Sequence, residues 1–94
     1  MAFLIYVEDD TSIAVPDDVG AEHRRYIDSR RDMIKAGGPL LEDGSETING
    51  RVFFTTYATR QEAEDFINNE PFVLLGRAKP KLIREMIVRI PADA

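Results

Sequence analysis

The sequence predicts a small α+β domain whose elements run strand, helix, strand, strand, helix, strand. Three observations carry that reading. Runs rich in β-branched, aromatic and other apolar residues, Ala2–Val7, Val52–Tyr57 and Leu82–Ile90, have the length and composition of strands. Val19, His23, Tyr26, Ile27, Arg30, Met33 and Ile34 recur at helical spacing among charged neighbours. Thr59-Arg60-Gln61-Glu62 has the form of a capping box, a hydroxyl followed three residues later by a carboxylate.

Taken in order, Ala2–Val7 is a continuous apolar run stopped by Glu8, Asp9 and Asp10. Thr11 to Asp17 is a loop, and Asp17 or Asp18 is the expected N-cap of a helix over 18–34. Gly37-Gly38-Pro39 closes that segment, and a short strand is placed near 38–42. Asp43-Gly44 and Asn49-Gly50 are turn dipeptides ahead of the strand over 52–57. The capped helix carries Ala63, Phe66 and Ile67 inward and ends at Asn68 and Asn69. A single further turn follows, with Pro71 in its first position and Gly76 closing it. A last strand covers 82–90 and stops at Pro91. With 94 residues, one domain over 1–94 accounts for the whole chain.

Right-handed crossovers put both helices on the same face of such a sheet. A sheet with one wet face should alternate apolar and polar residues, yet 3–7, 52–54 and 86–88 are apolar on both alternating sets. The chain has no third layer to spare. A second copy packed sheet to sheet is the simplest cover, so a homodimer is expected.

Composition removes several classes of function. There is no cysteine, hence no disulfide, thiolate nucleophile or zinc-thiolate site, and a reducing cytoplasm suits such a chain. A formal net charge of −5 argues against nucleic acid and anionic membranes as partners. No apolar run approaches the ~20 residues of a spanning helix. Ser12, Ser29 and Ser45 lie in polar settings without a nucleophile elbow. Gly37-Gly38 lacks the spacing of a phosphate loop, and the lone histidine leaves no metal-ligand set. No cofactor and no metal are expected.

Two residues could carry chemistry. His23, the single histidine, sits on the apolar face of the first helix. One reading is a part-buried imidazole satisfied by a backbone carbonyl; the other is a general acid or base facing a cleft, a role suited to histidine's ordinary titration near neutrality. Glu70 precedes Pro71, which biases it away from helical dihedrals. It is either a helix-start acid favoured by the dipole, or a carboxylate that holds an imidazole in one tautomer.

An ordered set of features resembles the YCII-related (YciI-like) family: a helix with lone His23, then Gly38-Pro39-Leu40, the glycine-led strand 50–57, the Glu62-Ala63 helix with Phe66, and Glu70-Pro71-Phe72 ending at Gly76. The resemblance spans nearly the whole chain and implies a ferredoxin-like βαββαβ fold in a dimeric α+β barrel. It also implies a histidine–carboxylate dyad on His23 and Glu70, with glutamate where the family usually has aspartate. The family's established chemistry is elimination of chloride from a chlorinated hydroxyhydroquinone.

Such a dyad could take a proton from a hydroxylated or chlorinated aromatic while chloride leaves without metal or redox cofactor. Aromatic walls are expected from Tyr6, Phe53, Phe54, Tyr57 or Phe72, with Pro39 beside them. Arg24, Arg25, Arg77 and Lys79 are the cations nearest in sequence for a phenolate. The expected function is therefore a cofactor-independent, dehydrochlorinase-like lyase. The alternatives are a non-catalytic small-molecule-binding or dimeric interaction domain, and a module that regulates another protein.

Overall fold

The computed structural model describes residues 2–90. Four strands, β1 (Ala2–Asp9), β2 (Ile34–Leu41), β3 (Ile48–Thr55) and β4 (Ala78–Met86), form one antiparallel sheet in the order β2-β3-β1-β4. Helix α1 (Asp17–Asp28) and a 3-10 turn over Arg31–Met33 connect β1 to β2. Helices α2 (Arg60–Asn68) and α3 (Pro71–Leu75) connect β3 to β4. Each crossover skips one strand, a split βαβ unit repeated twice, consistent with a ferredoxin-like fold.

The core lies between the helices and one sheet face. Phe3, Ile5 and Val7 alternate inward along β1, meeting Phe53 of β3, Ala63, Phe66 and Ile67 of α2, and Phe72 of α3. Helix α1 contributes no fully buried residue; Val19, Tyr26 and Ile27 only flank the cluster. It is tied down instead by specific contacts, among them the Tyr26 hydroxyl donating to the Phe66 carbonyl at 2.6 Å. Burial raises the Tyr26 phenol above its ordinary pKa, so it stays protonated and keeps that donor.

On the other face, Leu4 lies opposite Phe54, and Tyr6 lies between Val52 and Leu82. These side chains share a face by register and belong to no part of the buried cluster. No helix of the described residues covers them. Leu40, Leu82 and Met86 expose 37%, 37% and 36% of their surface. The apolar character of both strand phases therefore has a visible counterpart, a largely apolar sheet face left uncovered by this chain.

Several boundaries differ from the sequence expectations: β3 runs over Ile48–Thr55 rather than 52–57 and takes in Asn49-Gly50, expected as a turn, and Gly37-Gly38-Pro39 lies inside β2 because β3 pairs with it. Helix α1 stops at Asp28, not 34: Ser29 is its C-cap, its Oγ donating to the Tyr26 carbonyl at 2.7 Å, and Arg30 leaves the helical conformation at φ −120° and ψ 18°. From Ile34 onward the backbone is taken by β3, with Ile34 opposite Thr55, so β2 begins four residues before position 38. The helix N-cap is Pro16, without a side-chain cap, and Asp17 and Asp18 stand in the first turn, where their charges suit the dipole. Strand β4 begins at Ala78 and ends at Met86, whereas the sequence predicts 82–90. It is an edge strand, paired only with β1, and so accommodates Pro80 at an irregularity opposite Val7. Pro91 lies outside the described residues. The capping box of α2 is complete, and Gly76 closes α3 at φ 84°.

The tight pairing of β3 with β1 depends on Gly50. A Cβ there would lie 2.8 Å from the Val7 carbonyl oxygen and 3.2 Å from the Tyr6 ring, whereas one at Gly38 would meet nothing within 4 Å. Gly50→Ala is expected to destabilise the fold by about 1–3 kcal/mol, and Gly38→Ala to be neutral or to stabilise by up to about 1 kcal/mol. Urea unfolding of the two variants beside the parent checks the difference.

Candidate functional site

The site is built from charged residues placed where apolar ones would be ordinary. Glu70 is 2% exposed, a carboxyl group inside the core. Burial of such a group is tolerable only with hydrogen-bond partners. Its position supplies them. As the N-cap of α3 it accepts from the Phe72 amide at 3.2 Å, and its Oε1 also contacts Nδ1 of His23 on α1. Pro71 at the first helical position holds Glu70 in an extended conformation, φ −68° and ψ 133°, which turns its carboxylate back over the helix start.

The imidazole is fixed by a second contact. The Phe72 ring stacks on His23 with centroids 4.0 Å apart and planes 4° from parallel. One nitrogen is thus engaged by a carboxylate and one ring face is covered. A proton on Nδ1 donated to Glu70 leaves the lone pair on Nε2, and the His23 side chain remains 17% exposed.

His23 forms part of the wall of a cavity of about 360 Å³ between α1, the 3-10 turn and the inner face of β2 and β3. That volume lies in the range of small-molecule pockets. Ile27, Ile34, Gly37, Gly38, Pro39 and Phe53 supply its apolar surface, and Arg31, Lys35 and Arg51 its charge. Among the described residues no cluster of three or more histidine or acidic side chains is arranged to hold a metal ion.

The structure brings together His23, Glu70, Pro39, Phe53 and Phe72. It separates Tyr6 and Tyr57 from them. Tyr6 alternates onto the outer face of the sheet, in register with Val52 and Leu82, because its neighbours Ile5 and Val7 point inward. Phe54 shares that outer face. Tyr57 lies past the end of β3 in a separate shallow depression with Tyr26, Arg30 and Phe66. Phe72 does not line the cavity; it backs the imidazole from within the core. None of Arg24, Arg25, Arg77 and Lys79 faces the cavity.

Arg51 is not among the residues that the sequence reading singles out. Its signal is present nonetheless: it falls in phase with Phe53 and Thr55 on the inward side of β3, and Asp9 falls in phase with Ile5 and Val7 on β1. Two opposite charges on the buried phase of neighbouring strands predict a pair. The pair forms, with Arg51 Nη1 donating to the Asp9 oxygens at 2.9 and 2.8 Å.

No family model matches the chain, and no curated protein matches it. Among solved structures it is similar to the 5-chloro-2-hydroxyhydroquinone dehydrochlorinase of Burkholderia phenoliruptrix, whose structure is a complex with 2,5-dihydroxybenzoquinone. The two chains are 28% identical, with a TM-score of 0.80 over 93% of this chain and 94% of the other.

Proposed function

We propose that this protein is a cofactor-independent lyase of the dehydrochlorinase type within the YCII-related family, with His23 as the base and Glu70 as the group that orients it. The observation that carries the proposal is the buried Glu70 carboxyl against Nδ1 of an imidazole that opens onto a small-molecule-sized cavity. The likeness to an enzyme that acts on a chlorinated hydroxyhydroquinone supports the substrate class, a hydroxylated and chlorinated aromatic.

The chemistry asked of the residues is limited. Loss of hydrogen chloride requires a base to take one proton, the electron pair left behind to move through the conjugated system, and chloride to depart with the pair of the C–Cl bond. In the keto tautomer protonated at the chlorine-bearing carbon, that carbon is saturated, so the pair released when a ring hydroxyl loses its proton can expel chloride and leave a quinone. His23 Nε2 accepts the proton. Glu70 keeps the ring in the tautomer that exposes Nε2 and faces the imidazolium that results. Phe72 holds the ring plane, and Phe53 with Pro39 gives the substrate an apolar wall.

The exposed sheet face supports a homodimer. Leu4, Tyr6, Val52, Phe54 and Leu82 form a contiguous apolar surface on strands whose opposite face is the core. A second copy of the same face would remove it from water.

Two outcomes are expected. His23→Gln should lower chloride release from 5-chloro-2-hydroxyhydroquinone by about 10²–10⁴-fold, and Glu70→Gln by about 10–100-fold, with the fold retained by circular dichroism. His23→Ala should lose turnover and also about 1–3 kcal/mol of stability, since it leaves the buried Glu70 carboxyl without its side-chain partner. Parental chloride release in His23→Gln would remove the mechanism. For the assembly, the parent should sediment as a dimer and Val52→Glu as a folded monomer; a monomeric parent at micromolar concentration would refute the sheet-to-sheet pair.

A further inference from the structure

The cavity beside His23 is positively charged in a chain whose formal net charge is −5. Arg31, Lys35 and Arg51 line it, and no carboxylate does. Arg31 and Lys35 are exposed, so water screens them. Arg51 is different. Its side chain is 15% exposed, and a guanidinium in that position needs a fixed partner.

Asp9 is that partner, and it is shared. Its side chain is fully buried, and Arg77 Nε also approaches Oδ2, at 3.5 Å. One carboxylate thus lies between two arginines, and Asp10 is a second carboxylate within electrostatic reach of Arg77. Arg77 turns away, donating from Nη1 to the Ile13 carbonyl at 2.5 Å, and does not line the cavity. Arg51 is therefore the arginine of this group that faces the cavity. Both of its bonds to Asp9 run through Nη1, and among the described residues no hydrogen bond occupies its Nε or Nη2.

Position completes the case. The Arg51 guanidinium carbon lies 4.7 Å from the centroid of the Phe72 ring, the same ring that stacks on His23. Base and cation are thus set around one aromatic spacer and open onto one cavity, with Phe53 as a further wall. A planar guanidinium with unused donors suits an ionised oxygen on a ring better than a point cation would.

We propose that Arg51, held in place by Asp9, is the anion anchor of this cavity. Its ligand is a planar aromatic or quinoid ring bearing an ionised oxygen, which sits on Arg51 while the reacting edge faces His23. The proposal deepens the reading of this cavity as the His23–Glu70 site and rests on it for the ligand's orientation, but anchoring itself requires no turnover.

The test is equilibrium binding by calorimetry, with 2,5-dihydroxybenzoquinone as the acidic probe, ionised at neutral pH, and hydroquinone as the neutral one. The parent should bind the ionised probe at least about tenfold more tightly than the neutral probe. Arg51→Gln should lose about 10–100-fold in affinity for the ionised probe and change less than about threefold for the neutral one. Because Arg51→Gln takes from Asp9 its closest partner, the double variant Asp9→Asn/Arg51→Gln removes both charges and should show the same selective loss. In the parent, the Arg51 Nε–H resonance should shift with the ionised probe and not with the neutral one, a readout that needs no variant to fold. Equal binding of both probes by the parent, binding of neither, or an unmoved Arg51 resonance would overturn the anchor. If the anchor holds and no chloride is released from the chlorinated substrate, the lyase reading fails alone. Chloride release with an unmoved Arg51 resonance would instead remove the anchor and leave the lyase standing.

Discussion

The burial of the Glu70 carboxyl is the constraint around which the helical layer is arranged. A group of that polarity, 2% exposed, requires donors close by, and the chain supplies one from its own helix start and one from a different helix. The second donor fixes where α1 lies relative to α3. Phe72, two residues beyond Glu70, then covers the imidazole that Glu70 holds. A three-residue segment, Glu70-Pro71-Phe72, therefore sets the rotation, the hydrogen bonding and the packing of His23 together.

Asp9 repeats the device on the sheet. It too is a buried acid, and it too is satisfied by side chains that arrive from other elements, Arg51 from β3 and Arg77 from the turn before β4. The two pairs differ in balance. Glu70 meets one imidazole and one amide, whereas Asp9 meets two permanent cations. The first presents an imidazole to the cavity, the second a guanidinium. Their proximity through Phe72 gives a single cavity both groups.

Much of this was legible in the sequence. The element order, the capping box and the α3 turn follow from spacing and local chemistry, and the structure agrees on each; the resemblance alone implies a dyad of His23 and Glu70, whose side chains lie in contact. The misses have a common cause, which is that strand pairing decides boundaries that local preference leaves open. Met33 and Ile34 continue the helical period, yet β3 recruits the backbone from Ile34. Lys79 and Pro80 do not look like a strand, yet an edge position beside β1 tolerates both. Tyr57 has the parity of Phe53 but lies past the end of β3, away from the cavity, and the assignment of Tyr6 to the pocket failed for a related reason. Aromatic type does not report which face of a sheet a residue occupies; parity does, and parity places Tyr6 outside with Leu4. The same parity argument, applied to charges, points to Arg51.

Helix α1 carries the proposed base and has no residue fully inside the core, whereas α2 and α3 each bury at least one. Its attachment rests on half-buried apolar side chains and on two directional contacts, His23 to Glu70 and Tyr26 to the Phe66 carbonyl. Hydrophobic burial scales with apolar area and is non-directional, so a helix held mainly that way could slide or rotate by small amounts at little cost. A helix pinned by hydrogen bonds at two points one turn apart cannot. The exposure that makes His23 reachable from the cavity also denies α1 the burial that would otherwise hold it, and the hydrogen bond to Glu70 compensates for that loss. Orientation of the imidazole and retention of the helix thus share one interaction, supported by the Phe72 stack on one side and the Tyr26 hydrogen bond on the other.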